Sequence, residues 1–524
     1  MLRSYSLDAI LQLDRDTSDA LAAIREWRNS FVPINRIPSE VLSLIPTHSY
    51  FKDRVRATFV CRHWRRFFLQ YGVLWSKLLL RNGEAYVKTI LERVEGSELD
   101  IVIDKDIPVD RMLTLLSPHA RQIRYLKFTQ NSWPDLIKFS LINSSGSLPL
   151  LRTLELDPWG PINRGGEGPD AINLPPIFGN AVNVETLALC LGGLKPLSSF
   201  AFPYLTTFNL TASPEYHCNA SDLFNFLKAS PMLRTVKIWI IGAIVPRDTP
   251  REPVVVLPNV DNFHMHVSES DNICDIPVRI SCPCSRVTSL GYRPRTALTP
   301  ILFPPHTLLN AVVRQYTRSP VEEVMFEVVG DVCDSIAKCF LAFRSSDTSV
   351  VRFHFKMDTF DFRWFCHEAL LQASRIIRIQ PLLSHLKRLH IKYWAAISDP
   401  KEIEHVAGEF GRLLESMGPL DELTIHGCDL HVYLAPFLPP EVLGYLSQPI
   451  KFPSIKKLAV LYPEMKINRD ECINAVLELA KSQHAKGVPF ERVTVRAKFL
   501  IPTMMEERLM QWVGEVVCSG YPPL

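Results

Sequence analysis

A short apolar pattern recurs thirteen times along this chain and constrains its fold more than any other feature. In each copy an apolar residue is followed by two others, a second apolar residue, one other and a third apolar residue. The copies are IRYLKF, LRTLEL, VETLAL, LTTFNL, LRTVKI, VDNFHM, VTSLGY, VEEVMF, VVRFHF, LKRLHI, LDELTI, IKKLAV and FERVTV. Their central residues are Leu126, Leu154, Leu187, Phe208, Val236, Phe263, Leu290, Val324, Phe353, Leu389, Leu423, Leu458 and Val493, with spacings from 21 (Leu187 to Phe208) to 36 (Phe353 to Leu389). Self-similarity at this period predicts a stacked array, because no single unit could bury its apolar face alone.

Helical periodicity fills several of the intervals, at 221–230, 334–343, 401–418 and 470–482, often behind a Ser or Asp suited to capping. The expected architecture is therefore α/β. A solenoid spans residues 95–524, with one strand and one helix per repeat, about 13 rungs and EERLMQWVGEVV as a C-terminal capping helix. At 524 residues the chain is too long for one compact core, which agrees with an array.

Hydrophobic residues at 47% and charged residues at 22% describe an ordinary folded chain, and a net charge of +3 gives no global pull towards nucleic acid or membrane. The longest apolar stretch, VKIWIIGAIV, is too short to span a bilayer and already holds Lys237. The N-terminus breaks into charges before any secretory apolar run develops. Twelve cysteines, including Cys190, Cys339 and Cys366 within apolar segments, read as buried thiols of a reducing compartment. Cytoplasm, nucleus or both is the expected location, with no membrane partner.

Ahead of the array, residues 1–33 form a lead-in with Leu7, Ile10, Leu11, Leu21, Ile24 and Trp27 at helical spacing. The next segment, 34–80, contains NRIPSEVLSLIP, KDRVRATFVCRHWRRFFLQY and VLWSKLLL. Pro38 suits a first helical turn, and Pro46 closes a helix whose Val41, Leu42 and Ile45 share a face. A second helical stripe carries Val60, Trp64, Phe67, Phe68 and Tyr71, with Arg62, His63, Arg65 and Arg66 opposite. Base-reading side chains such as Asn, Gln or Ser are absent from 59–69, so the basic face reads as solvated surface and no nucleic-acid partner is expected. The segment offers more large apolar side chains than three short helices can bury among themselves, which calls for a partner.

The stretch IPSEVLSLIP, then VRATFVCRHWRRF, then Leu74–Trp75 resembles an F-box, and the array that follows resembles degenerate leucine-rich repeats of the kind found in fungal F-box proteins. Ile37 stands where that family has Leu, and the Asn or Cys of standard repeats is mostly missing. The resemblance implies a three-helix F-box over 34–80 that docks on the adaptor of an SCF-type cullin ubiquitin ligase, and through it on the cullin and RING subunits. It implies that Ile37, Pro38, Val41, Leu42, Ile45, Val60, Trp64, Phe68 and Trp75 bind the adaptor. The chain would then be a non-catalytic substrate receptor. The alternative is a repeat scaffold that binds protein or RNA, with the helical head as an end cap.

No phosphate loop, nucleophile elbow or catalytic Cys/His spacing is present, and no cofactor is implied. His264, His266, Cys274, Cys282 and Cys284 lie near one another in sequence, but their spacing is not that of a zinc site, so no metal is expected. The solvent-facing strand positions give a Thr column (Thr153, Thr186, Thr207, Thr235). They then give two Arg-His-Lys triplets, Arg352, His354, Lys356 and Arg388, His390, Lys392, read as successive rungs. Like charges stacked about 5 Å apart need an anion, so these six residues are expected to hold an acidic or phosphorylated segment of an unidentified protein substrate.

Overall fold

The apolar pattern places alternate side chains on opposite faces of extended backbone. In the computed structural model all thirteen central residues lie in strands. The structure describes residues 6–47, 51–80, 83–94, 96–103, 114–129, 148–157, 183–191, 202–212, 220–241, 255–268, 279–293, 319–331, 336–347, 349–358, 385–393, 410–415, 417–427, 454–462, 469–497 and 503–520, with isolated residues and short pairs between them. They fall into two units, Met1–Leu189 and Cys190–Leu524. Among the described residues no helix is long and apolar enough to cross a membrane.

The first unit opens with helix α1 (Leu7–Ser30), N-capped by the Ser6 hydroxyl. Three short helices follow: α2 (Ser39–Thr47), α3 (Phe51–Ala57) and α4 (Arg62–Gln70). The second stripe expected from sequence is thus broken. Val60 lies in the turn between α3 and α4, where the Cys61 side chain caps α4. Next come strand β1 (Lys77–Leu80), helix α5 (Glu84–Val94) and strands β2 (Leu99–Ile103), β3 (Ile123–Thr129), β4 (Thr153–Asp157) and β5 (Thr186–Leu191). Each of these strands pairs in parallel with the next. The sheet therefore begins at Lys77, inside the segment assigned to the head, and not at residue 95.

The second unit contains β6 (Thr207–Ala212), helix α6 (Ala220–Lys228), β7 (Thr235–Ile241), β8 (Asn262–Ser268) and β9 (Val287–Arg293). Strands β10 (Val321–Asp331), β11 (Ile336–Ser345), β12 (Val350–Asp358), β13 (Arg388–Tyr393), β14 (Leu420–Gly427) and β15 (Ile455–Tyr462) follow. Helix α7 (Arg469–Ala485), β16 (Arg492–Ala497), helix α8 (Thr503–Leu509) and β17 (Glu515–Gly520) complete it. Helix α6 shows the repeat at work: Leu223, Phe226 and Leu227 are buried, and the Phe226 ring sits 4.7 Å from that of Phe208 in β6. Burying one such phenylalanine contributes about 1.5–3 kcal/mol.

The C-terminal end and the segment 336–345 depart from the pattern expected from sequence. The last helix does not cap the array, because β17 follows it and pairs in parallel with β16. Of residues 334–343, read as a helix, the described ones, 336–343, form most of β11 instead. Cys339, Leu341 and Phe343 of β11 are all buried at period two, yet Cys339, Phe340 and Phe343 also fit a helical stripe. Strand β11 runs antiparallel to both β10 and β12. The pairing order is consequently β9, β12, β11, β10, β13: β9 meets β12 and β13 meets β10, all four in parallel at those two contacts. The Asp347 carboxylate pins the turn into β12, accepting from the Ser349 backbone N–H at 3.1 Å and its hydroxyl at 2.7 Å.

Register also shifts the apolar pattern near β9. Thr288 pairs with Phe263, so Ser285 and Thr288 occupy core positions, and the Thr288 hydroxyl satisfies itself on Ser285 at 3.1 Å. VTSLGY was therefore two residues out of step. The Thr column holds within each unit, as Thr153 opposite Thr186 and Thr207 opposite Thr235.

Gly72 joins the head to the first strands. A Cβ there would lie 2.6 Å from the Val94 carbonyl oxygen at the end of α5. Gly72→Ala is expected to destabilise the protein by about 1–3 kcal/mol in denaturant unfolding, since the Val94 and Arg93 carbonyls, which cannot swing aside, crowd the added methyl together with the Ser97 hydroxyl.

Candidate functional site

The apolar residues of the head sort by burial into two groups. Leu42 is 1% exposed, and Phe68 and Trp75 are equally enclosed. The Trp75 indole N–H donates to the Phe68 carbonyl at 2.6 Å, the Arg93 guanidinium lies 5.0 Å over its ring, and the Arg54 guanidinium donates to the Leu74 carbonyl. These three residues hold the head together. Their assignment to the adaptor surface is corrected accordingly.

The other group faces solvent. Val41 is 49% exposed, Val60 62% and Phe59 70%, while Pro38 and Leu44 are exposed and Ile37 is half-buried. On α2, Val41 and Leu44 lie three residues apart on the side away from Leu42. The side chain of Ile45 lies outside the described residues. Trp64 is half-buried, stacked on Phe68 at 5.6 Å, with its indole N–H donating to Asn35 Oδ1 at 2.7 Å. Asn35 in turn donates to the Asn29 carbonyl at the end of α1, so Trp64 anchors the lead-in helix. Phe59, which sequence reasoning missed, lies under the Arg65 guanidinium at 5.8 Å. Its signal was its place in the break between two helices, which a single continuous stripe concealed.

The basic face of α4 has partners within the chain. Arg65 donates to the Thr58 carbonyl at 3.0 Å, and Arg66 lies 3.6 Å from Glu26 of α1. Helix α1 itself has no buried residue; Leu7, Ile10, Leu13 and Ile24 are exposed, and Trp27 is 68% exposed.

An F-box-like family model matches residues 34–81. The match coincides with α2, α3, α4 and β1, and it makes the head an F-box-like domain with an expected part in SCF-type substrate recognition. Comparison with curated proteins gives no match for the chain.

The two basic triplets do not lie on successive rungs. Strands β11 and β10 stand between β12 and β13, which separates Arg352 and His354 from Arg388 and His390 by three strand spacings. Strand β10 also brings carboxylates to the second triplet. Arg388 lies 2.9 Å from Glu323, His390 Nε2 3.8 Å from Glu323, and Lys392 2.5 Å from Glu327. Register continues the row as Glu323, Arg388, Glu422, Lys457, Arg492, Glu515. The repulsion inferred from sequence is thus answered inside the chain. Lys356 lies in β12, but its side chain is outside the described residues.

Among the described residues no group of three or more His, Cys, Asp or Glu is placed to hold a metal ion. His264 and His266 face solvent from β8, whereas Cys282 is buried and its thiol is pushed up by that burial; Cys274 lies outside the described residues.

Burial, first, holds His264, His354, His390 and His426 below the ordinary imidazole range. An imidazole with a lowered folded value binds its proton later than in the unfolded chain. Stability from these four groups is therefore full above about pH 6.5 and falls as pH drops below it; denaturant titrations across that range should show a declining unfolding free energy. Glu323→Gln should cost about 1 kcal/mol by the same measurement, because its carboxylate is mostly enclosed between Arg344 and Arg388.

Proposed function

We propose that this chain is the non-catalytic substrate receptor of an SCF-type cullin ubiquitin ligase, acting in the cytoplasm, the nucleus or both. Its F-box-like head docks on the adaptor, and its strand array, a leucine-rich-repeat-like solenoid, holds a protein substrate. The observation that carries this reading is the match over 34–81 together with Val41, Phe59 and Val60 left open on that segment. Apolar side chains of this size in solvent cost free energy unless a partner covers them, and each one covered contributes about 1.5–3 kcal/mol.

The close seating of Gly72 on α5 also suits the second reading, in which the head is an end cap of a protein- or RNA-binding scaffold. A cap, however, has no use for an open apolar face. Co-expression with the SCF adaptor distinguishes the two. Wild type is expected to co-purify with it. Val41→Asp and Val60→Asp are expected to lose the adaptor while keeping wild-type thermal stability, and Leu42→Asp to lose both. Unchanged co-purification of the two exposed-site variants would overturn the docking surface, and no co-purification of wild type would overturn the receptor reading.

A further inference from the structure

The charge row of β10 and β13–β17 carries both signs, with a carboxylate beside each of its cations, but the row that begins on β6 does not. There the register runs Asn209, Lys237, His264, Ser289, Arg352 across β6, β7, β8, β9 and β12. Its neighbour two residues along runs Thr211, Trp239, His266, Gly291, His354. Apart from Arg352 the two rows line an open pocket of about 460 Å³, and Arg352 is the register neighbour of Ser289 in that lining.

Three features distinguish this pocket from the rest of the open face. First, its charges share one sign: the charged groups acting on His264 are Lys237 and Arg352, and those acting on His354 are Arg352 and His264. The imidazoles of β13 and β14 differ, since Glu323 and Glu422 act on His390 and Glu327 on His426. Second, the site is opened by a missing side chain. A Cβ on Gly291 would fall 2.0 Å from His266 Nδ1, so only glycine lets the His266 ring lie where it does, 4.4 Å from Trp239. Third, Asn209 brings to the start of the row a buried side-chain oxygen with no hydrogen-bond partner, an acceptor open to a ligand hydroxyl and not to the anion itself.

We infer that this pocket binds a phosphoryl group, with Lys237 and Arg352 as fixed cations at the two ends of the polar run of His264 and Ser289, His264 and His354 as added donors, and Trp239 as an apolar wall for the group that carries it. A guanidinium and an ammonium matched to a dianion give charge-assisted hydrogen bonds, the strongest available to an open face. The inference revises the anion site expected from sequence: it keeps Arg352 and His354, releases Arg388, His390 and Lys392 to their carboxylates, and adds Lys237 and His264. The pocket stands on its own geometry; that it is the substrate site rests on the receptor reading above.

His264 is faced by Lys237, Ser289 and Arg352, and His354 by Gly291, Arg352 and the Phe340 ring at 4.8 Å, so neither has a carboxylate on its flanks among the described residues. Anion binding must therefore raise both imidazoles. The test uses the full chain labelled at histidine Cε1 and titrated by NMR with and without inorganic sulfate, which stays a dianion throughout. Two resonances, identified by their loss in His264→Gln and His354→Gln, are expected to titrate at higher pH with sulfate present. In calorimetry, phenyl phosphate should bind Lys237→Gln and Arg352→Gln at least about tenfold more weakly than wild type. Lys457→Gln, whose charge already faces Glu422, should bind as wild type does. Tighter binding of a phosphoserine peptide than of inorganic phosphate would assign the group to a protein side chain, and the reverse to a small phosphorylated molecule. Unmoved imidazoles in wild type, or equal weakening by Lys457→Gln, would overturn the inference. Neither result bears on adaptor co-purification, so the two readings fail separately.

Discussion

Parallel in-register pairing is the constraint on which the rest of this protein depends. It sends one face of every strand into the core and turns each position on the other face into a row that crosses the sheet. A side chain's electrostatic neighbours are then residues some thirty places away in sequence, at a spacing of about 5 Å. Glu323 lies 65 residues before Arg388, yet it is that arginine's counter-charge. The chemistry of the open face follows from register.

Strand existence was legible because the apolar pattern is long and repeated, and every central residue of it fell in a strand. Pairing order was not. Nothing local says that β12 sits beside β9 while β10 sits beside β13. The segment IAKCFLAFRS satisfies a helical and an extended period at once, and its β-branched content is low, so the tie is broken only by the two strands that flank it. From that one misread element came the larger error about the basic triplets. Glu323 and Glu327 are visible in VEEVMFE, but only the pairing order sets them beside Arg388 and Lys392.

The head was legible to a different depth. Its helical segments and their apolar residues could be read from spacing, and a family model covers the same stretch. Which of those residues turn inward could not, because a three-helix segment this short has too few positions for periodicity to separate core from surface. Leu42 and Val41 are adjacent in sequence and opposite in role. The turn at Val60 decides the matter for Phe59, since a continuous helix would have carried that ring round to another side.

Strand β1 lies within the F-box-like match and also forms the first hydrogen-bonded partner of the sheet, Lys77 to Leu80 against Asp100 to Ile103. The head is consequently not a detachable module. A chimaera that exchanged residues 34–81 for another protein's equivalent would strip the sheet of its outermost ribbon and expose the backbone amides and carbonyls of β2 to whatever strand came near. Residues on the open rows can change without touching the fold, but the head cannot be exchanged without rebuilding an edge.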